Sequence, residues 1–369
     1  MKKALKATGK ILLGILITIA AAIIILLAAR LIGKGINSKT PDGGINETMY
    51  VEINGTKQWI NIYGQDRDDP VLLYLHGGPC GATSWLDWSI LRSLSEDYIV
   101  VGWDQRGFGH NYPEYKTSEQ ICAETMIRDG IEMTDYLREH LGKDKITLMG
   151  ISWGSIYAAN LALEYPDRYD AVVAMSLVVD IPESQQYFKE WVLKQSENDP
   201  EMHKLAEGFD PQRVARSDEE ADNIDKLTDE YCYNDDYFKD ADENMYAALW
   251  FNPNCTLKEQ LQCMGFSEEY NAELEKQHGE NSSNAFNMVQ KMSLSGRTEY
   301  SIPFYVIEGK QDTAFINMAE EAAAYFEKVE APDKELFYVD GGHMAPMLRS
   351  EKLKEYLHII AEKQKNNGA

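Results

Sequence analysis

Three segments of the sequence carry residue types that together could perform acyl transfer. The pentapeptide Gly-Ile-Ser-Trp-Gly at 150–154 follows an apolar run and precedes an alanine-rich stretch. A serine between two glycines at a strand-to-helix junction is typical of a nucleophile elbow, a sharp turn that lifts the hydroxyl clear of the sheet. We therefore predict Ser152 as the nucleophile, with Gly150 and Gly154 as the small residues that the turn requires.

A serine hydroxyl is a poor nucleophile unless a base, itself held by an acid, removes its proton. In this pattern the acid and the histidine follow the serine in the chain, each just beyond a later strand. Asp312 and His343 each follow an apolar run late in the sequence, and we predict them as the acid and the base. Glu308 and Asp180 are the alternative acids, because each lies at the end of an apolar run.

The tetrahedral intermediate of acyl transfer needs an oxyanion hole of backbone N–H donors. The N–H of Trp153, directly after the nucleophile, is one predicted donor, and Gly78 in an earlier glycine-rich loop is the second. Asp104 and Arg106 are predicted to brace a neighbouring loop rather than to react. Four further residues of the glycine-rich loop are predicted to line the rim of the pocket: His76, Gly77, Pro79 and Cys80.

Strand-like and helix-like patterns alternate around these motifs, which favours an α/β fold with a mostly parallel eight-stranded sheet and helices on both faces. The alternation occupies residues 48–180 and resumes over 301–369. Between them, residues 181–300 have a helical pattern and hold 26 acidic and 11 basic residues. We predict that this insertion forms a helical cap over the sheet.

The N-terminus differs from the rest of the chain. Residues 1–10 are basic, and residues 11–29 contain no charge and no proline, enough to reach about 28 Å as a helix, the thickness of a bilayer core. We predict an uncleaved anchor over 11–32 and a linker over 33–47. A cleaved signal peptide is the alternative, but its apolar region is usually shorter, and Arg30 interrupts a cleavage site. A soluble core helix would need a polar face.

The distribution of charge predicts the orientation and excludes one class of partner. Four lysines precede the apolar stretch and three basic residues follow it, so the positive-inside rule places the N-terminus in the cytoplasm and the remaining chain outside. Beyond residue 40 the chain holds 29 basic and 60 acidic residues, a net charge of −31. Such a surface repels nucleic acid. The five cysteines lack metal-ligand spacing, and whether any form a disulfide stays open.

The motifs HGGP, DQRGFG, GISWGS, EGKQD and GGH, in this order, resemble those of the proline iminopeptidase (serine aminopeptidase) family of the α/β-hydrolase fold, over roughly residues 48–363. The resemblance implies a serine hydrolase without metal or cofactor, whose triad is Ser152, Asp312 and His343. It also implies release of an N-terminal residue, often proline, from short peptides. A carboxylic-ester or amide hydrolase with the same triad is the alternative, and a non-catalytic binding protein on this fold is a third.

The sequence departs from this family at two positions. Cys80 stands where the family usually has a glycine. The family's cap often carries Trp-x-x-Trp-Glu, whose carboxylate binds the free amine of the substrate, whereas here Trp250 is followed by Phe251. Trp250 is nevertheless predicted to lie at the rim of the pocket, while the substrate-binding carboxylate stays unassigned.

Overall fold

A computed structural model gives the architecture of most of the chain. It describes residues 2–78, 87–111, 121–213, 217–236, 238–263 and 288–367. The strands of the main sheet are β1 (Ile45–Ile53), β2 (Thr56–Gly64), β3 (Val71–Leu75), β4 (Ile99–Trp103), β5 (Ile146–Ile151), β6 (Tyr169–Met175), β7 (Phe304–Gly309) and β8 (Lys334–Val339). The helices are α1 (Lys2–Asn37), α2 (Trp88–Ser93), α3 (Ala123–Leu141), α4 (Trp153–Glu164), α5 (Ile181–Gln195), α6 (Pro200–Gly208), α7 (Asp218–Tyr231), α8 (Met245–Phe251), α9 (Leu257–Cys263), α10 (Ala319–Lys328), α11 (Ala345–Leu348) and α12 (Ser350–Asn367).

The eight strands form one sheet in the order β1-β2-β4-β3-β5-β6-β7-β8. Strand β2 pairs antiparallel with β1 and β4, and every other pairing is parallel. The central strands β3, β4 and β5 are apolar and buried along their whole length, as expected for a parallel sheet covered by helices on both faces. The predicted eight-stranded, mostly parallel sheet is therefore confirmed.

The two faces of the sheet have separate apolar cores. One core packs α3 and α4 on the sheet and includes Trp103, Leu148 and Ile156. The other packs α2 and α12 and includes Tyr98 and Leu357. Since the carboxyl ends of parallel strands meet at one edge, this packing brings the loops after β3, β5, β7 and β8 together.

The first helix is longer than the sequence predicts. It is long and apolar enough to cross a membrane by length and composition, and its apolar stretch packs against no other described part of the molecule. It continues to Asn37, and β1 begins at Ile45, so the irregular segment is shorter than the predicted linker over 33–47. In its last turns, Arg30 and Lys34 donate hydrogen bonds to carbonyl oxygens in and just beyond α8.

The described residues between β6 and β7 form helices α5 to α9 and their connections, in line with the helical pattern of the insertion. A small apolar cluster that includes Phe188, Phe209 and Leu227 joins α5, α6 and α7. Where the sequence leaves disulfide formation open, Cys122, Cys232 and Cys255 are free thiols.

Candidate active site

Ser152 joins β5 to α4 in a strained backbone conformation. Its φ of 53° and ψ of −123° fall where an L-residue is held only at a cost of about 1–3 kcal/mol. A Cβ on Gly150 would lie 2.0 Å from the carbonyl oxygen of Gly154, and one on Gly154 would lie 2.0 Å from that of Leu75. Only glycine fits at either position, because backbone atoms occupy the space that a side chain would need.

Asp312 and His343 lie in hydrogen-bond contact at the ends of β7 and β8. The Nδ1 atom of His343 is 2.8 Å from Oδ2 of Asp312, and the side-chain amide of Asn317 donates to the same oxygen at 2.7 Å. The hydroxyl of Ser176, which follows β6, donates to the carbonyl oxygen of His343 at 2.6 Å. The described residues give the hydroxyl of Ser152 no hydrogen bond to His343, a contact that often tightens only when substrate binds.

The two alternative acids have other partners. Glu308 is fully buried in β7, and its Oε2 atom accepts the backbone N–H of Leu177 at 3.0 Å. Burial raises the pKa of Glu308 well above its usual range, and the charge of Asp312 and a hydrogen bond with that residue raise it further. Asp180 caps α5 by accepting the N–H of Glu183. Of the three acids, Asp312 is the one paired with His343.

The glycine-rich loop after β3 runs beside the serine. A Cβ on Gly77 would lie 3.4 Å from the Cβ of Ser152, so the loop passes at van der Waals distance. Gly78 has a φ of 116°, a conformation that strongly favours glycine. The N–H of Trp153 belongs to the first turn of α4 and lacks an intrahelical acceptor. Pro79 and Cys80, predicted at the rim, lie outside the described residues.

A neutral histidine and a glutamine connect this loop to the elbow. His76 is buried, burial lowers its pKa, and its Nε2 atom accepts the backbone N–H of Gln105 at 3.2 Å. Its Nδ1 must then carry the proton, which it donates to the carbonyl of Gly77 at 2.8 Å. The side chain of Gln105 bonds to the carbonyl of His76 and to the indole N–H of Trp153. Sequence reasoning missed Gln105, although it lies within the DQRGFG motif.

Asp104 and Arg106 hold the loop that follows β4. The carboxylate of Asp104 accepts hydrogen bonds from the backbone N–H and from Nδ1 of His110, both at 2.7 Å. Arg106 forms a two-point ion pair with Asp129 of α3, at 2.6 and 2.7 Å. The contacts fix the loop that carries Gln105, which matches a bracing role for both residues.

Replacing Arg106 with leucine is expected to lower the free energy of unfolding by about 3–5 kcal/mol, because the Asp129 carboxylate would stay buried without its cation. The side chains of this pair are 5% and 0% exposed. The Arg168–Asp135 pair, whose side chains are 30% and 42% exposed, is the matched control. Arg168→Leu should lower the free energy of unfolding by less than about 1 kcal/mol. Denaturant unfolding of the two variants tests this, and equal losses would contradict it.

Asp235, in the segment after α7, contacts the loop that carries the catalytic-base candidate. Its carboxylate accepts the backbone N–H of Gly342 at 3.2 Å and that of Met344 at 2.9 Å. Burial lowers the pKa of His343. The charge of Asp312, its hydrogen bond to the imidazole and the charge of Asp235 raise this pKa by more. The pKa of His343 is therefore raised above its usual value. No sequence pattern singled out Asp235, because it lies far from His343 in the chain.

We expect hydrolytic activity to fall as the pH drops through the raised pKa of His343, because a protonated imidazole cannot accept the serine proton. Asp235→Asn removes one charge that raises this pKa, so the acid limb of the pH–rate profile should move to lower pH. Asp242→Asn makes the same charge change in the same segment and should leave the limb in place. Superimposable profiles for the two variants would contradict this role of Asp235.

Trp250 contacts a different part of the molecule from the one predicted. Its carbonyl oxygen accepts from Nη1 of Arg30 at 2.7 Å, and the guanidinium lies 5.5 Å from the centre of its ring. Its described contacts therefore join it to α1 rather than to Ser152 or His343. Within the described ranges, no three His, Cys, Asp or Glu side chains are grouped to hold a metal ion.

The fold and the strained serine define a class of protein that the comparisons identify. Residues 70–350 match the family model of the α/β-hydrolase fold, and the chain belongs to that family. In structure it is similar to a proline iminopeptidase-related protein of Thermus thermophilus, with a TM-score of 0.54 and 17% identity, over 87% of this chain and 98% of that one. This likeness concerns the fold alone.

Two peptidases and an epoxide hydrolase are among its curated relatives. The chain is 35% identical to a probable aminopeptidase of Bacillus subtilis over 35% of this chain and 41% of that protein. It is 35% identical to a proline iminopeptidase of Clostridioides difficile, over 32% and 39% of the two chains. It is 30% identical to human epoxide hydrolase 4, over 42% of this chain and 39% of that protein. The chain spans about two fifths of the length of these relatives.

Proposed function

We propose that the protein is a membrane-anchored serine hydrolase that releases N-terminal residues from short peptides. The observation that carries the proposal is Ser152 at a positive φ between β5 and α4, on the same edge of the sheet as the Asp312–His343 pair. Similarity to two peptidases supports the substrate class. A carboxylic-ester or amide hydrolase with the same triad is the second candidate.

In the proposed mechanism His343 takes the proton from Ser152 Oγ as that oxygen attacks the substrate carbonyl. Asp312 holds the imidazole with Nδ1 protonated, so that Nε2 is the base, and stabilises the imidazolium that forms. The N–H groups of Gly78 and Trp153 bind the oxyanion. His343 then gives the proton to the leaving amine, and water releases the acyl group from Ser152.

The substrate proposal is tested with the full chain in detergent and a set of matched substrates. Prolyl and alanyl arylamides with a free amine should be cleaved, while the same compounds N-acetylated should not, because an aminopeptidase binds the free amine. A short-chain aryl ester completes the set, and Ser152→Ala is the control for contaminating hydrolases. Turnover of the ester alone would discard the peptidase proposal and leave the serine hydrolase standing.

We also propose that the N-terminus is cytoplasmic and the catalytic domain lies on the opposite side of the membrane. Four lysines precede the apolar stretch, and Arg30, Lys34 and Lys39 follow it. Protease added to intact protoplasts that express the chain should degrade the catalytic domain. Degradation only after the membrane is permeabilised would reverse the proposed orientation.

A further inference from the structure

The last two turns of α1 are fixed to the catalytic domain by hydrogen bonds. The guanidinium of Arg30 donates to the carbonyl oxygens of Trp250 and Cys255 at 2.7 and 2.8 Å. The ammonium of Lys34 donates to the same carbonyl of Cys255 at 2.7 Å. One turn of α1 is therefore held at two points, both in or just beyond α8.

Close packing adds to these bonds. A Cβ on Gly33 would lie 2.3 Å from the ring of Phe251, so the aromatic ring sits directly on the helix backbone. The side chain of Asn37 donates to the carbonyl of Phe251 at 3.0 Å, and Arg30 is buried beneath these residues. The junction between α1 and the catalytic domain is thus a packed contact and not a hinge.

The length of α1 sets the height of this contact above the membrane. If residues 11–29 cross the hydrocarbon core, Arg30 lies at its boundary, and Lys34 lies about 6 Å further along the helix. The polar layer of a bilayer is about 5–7 Å thick on each side. The residues that bond to Arg30 and Lys34, which are Trp250 and Cys255, then lie within the lipid headgroup layer.

We propose that Leu257 and Leu261, on the helix that follows Trp250 in the chain, form a membrane-facing patch that seats the catalytic domain in the headgroup layer of the bilayer. This inference rests on the proposed anchor. Leu257 and Leu261 are 37% and 42% exposed and lie four residues apart, so they share one face of α9. The side-chain amide of Gln260 donates to the carbonyl of Leu249, which ties α9 to α8.

The chemistry of the patch indicates apolar insertion as the binding force. A net charge of −31 beyond residue 40 opposes attraction to anionic lipid, so charge cannot hold the domain at the surface. Tryptophan is enriched at membrane–water interfaces, and exposed leucines on one helix face gain by entering the boundary with the acyl chains. The partner of this surface is therefore the lipid itself, and the domain is docked on the membrane rather than tethered to it.

Photo-crosslinking in vesicles tests the proposal with the full chain. The protein is reconstituted in phosphatidylcholine that contains a diazirine-bearing analogue reactive near the top of the acyl chain, and tryptic peptides are mapped by mass spectrometry. We expect crosslinks on α1 and on the peptides 240–258 and 259–276. In the double variant Leu257→Ser and Leu261→Ser, crosslinks on 259–276 should be lost, while those on α1 remain. Tyr338→Ser, at a residue of similar exposure on β8, is the control and should change nothing.

Each result decides a different point. Crosslinks on α1 but on neither peptide would overturn the membrane-facing patch and leave the anchor in place. Crosslinks on 259–276 that persist in the double variant would overturn the role of the two leucines. An absence of crosslinks on α1 would overturn the proposed anchor, and this inference with it.

Discussion

Replacing Ser152 with alanine is expected to lower kcat about 10⁴- to 10⁶-fold, because the variant has no hydroxyl to form the acyl-enzyme and retains only the oxyanion hole and substrate binding. The fold should persist, since no described residue depends on the Ser152 hydroxyl for a hydrogen bond and alanine has a similar volume. Initial rates on the substrate that the wild type cleaves best, together with thermal unfolding, measure both effects.

Ser295→Ala is the control for this experiment. Ser295 is exposed, and its hydroxyl donates to Glu183 at 2.9 Å, outside the candidate site. This variant should keep the activity of the wild type. A clean preparation of Ser152→Ala that turns over substrate at a rate near that of Ser295→Ala would contradict the assignment of Ser152.

A second large effect separates the two neighbouring acids. Asp312→Asn is expected to lower kcat by about 10⁴-fold, because the amide cannot stabilise the imidazolium and favours the wrong tautomer of His343. Glu308→Gln should lower kcat by less than about tenfold, since Glu308 is not paired with His343, its raised pKa favours the neutral carboxyl, and an amide preserves one donor and one acceptor. Both changes replace a carboxyl with an amide of equal size, so packing differs little between them.

The measurement is kcat for both variants at a pH well above the pKa of His343, where the imidazole of the wild type is neutral. Circular dichroism spectra and unfolding midpoints show whether either substitution perturbs the fold. A larger loss in Glu308→Gln than in Asp312→Asn would assign the role of triad acid to Glu308.

The sheet and the elbow were predictable because their signals are local. A run of apolar residues marks each buried strand, and the two glycines around Ser152 reflect contacts with backbone four residues away and with the end of the adjacent strand β3. The order of serine, acid and histidine along the chain then located Asp312 and His343 after the last two strands of the sheet. Periodicity and spacing were sufficient for these elements.

The contacts that the sequence did not predict all join distant segments. Arg30 follows the apolar stretch and looked like a flanking charge, but its partners are more than 200 residues further along the chain. Asp235 contacts the histidine loop from the cap, and charge counting treated it as one of many acidic residues.

The packed junction between α1 and α8 also determines how this protein could be shortened. A chain that starts at Thr40 would remove Arg30, Gly33 and Lys34, and would leave the rings of Trp250 and Phe251 uncovered. Such a fragment would lose the apolar stretch of α1 but would expose these two rings instead, and it would aggregate. A chain cut just before Arg30 would lose the apolar stretch yet keep the two helical turns that cover these rings. The practical border of a fragment that keeps this junction therefore lies inside the first helix, ahead of its last eight residues.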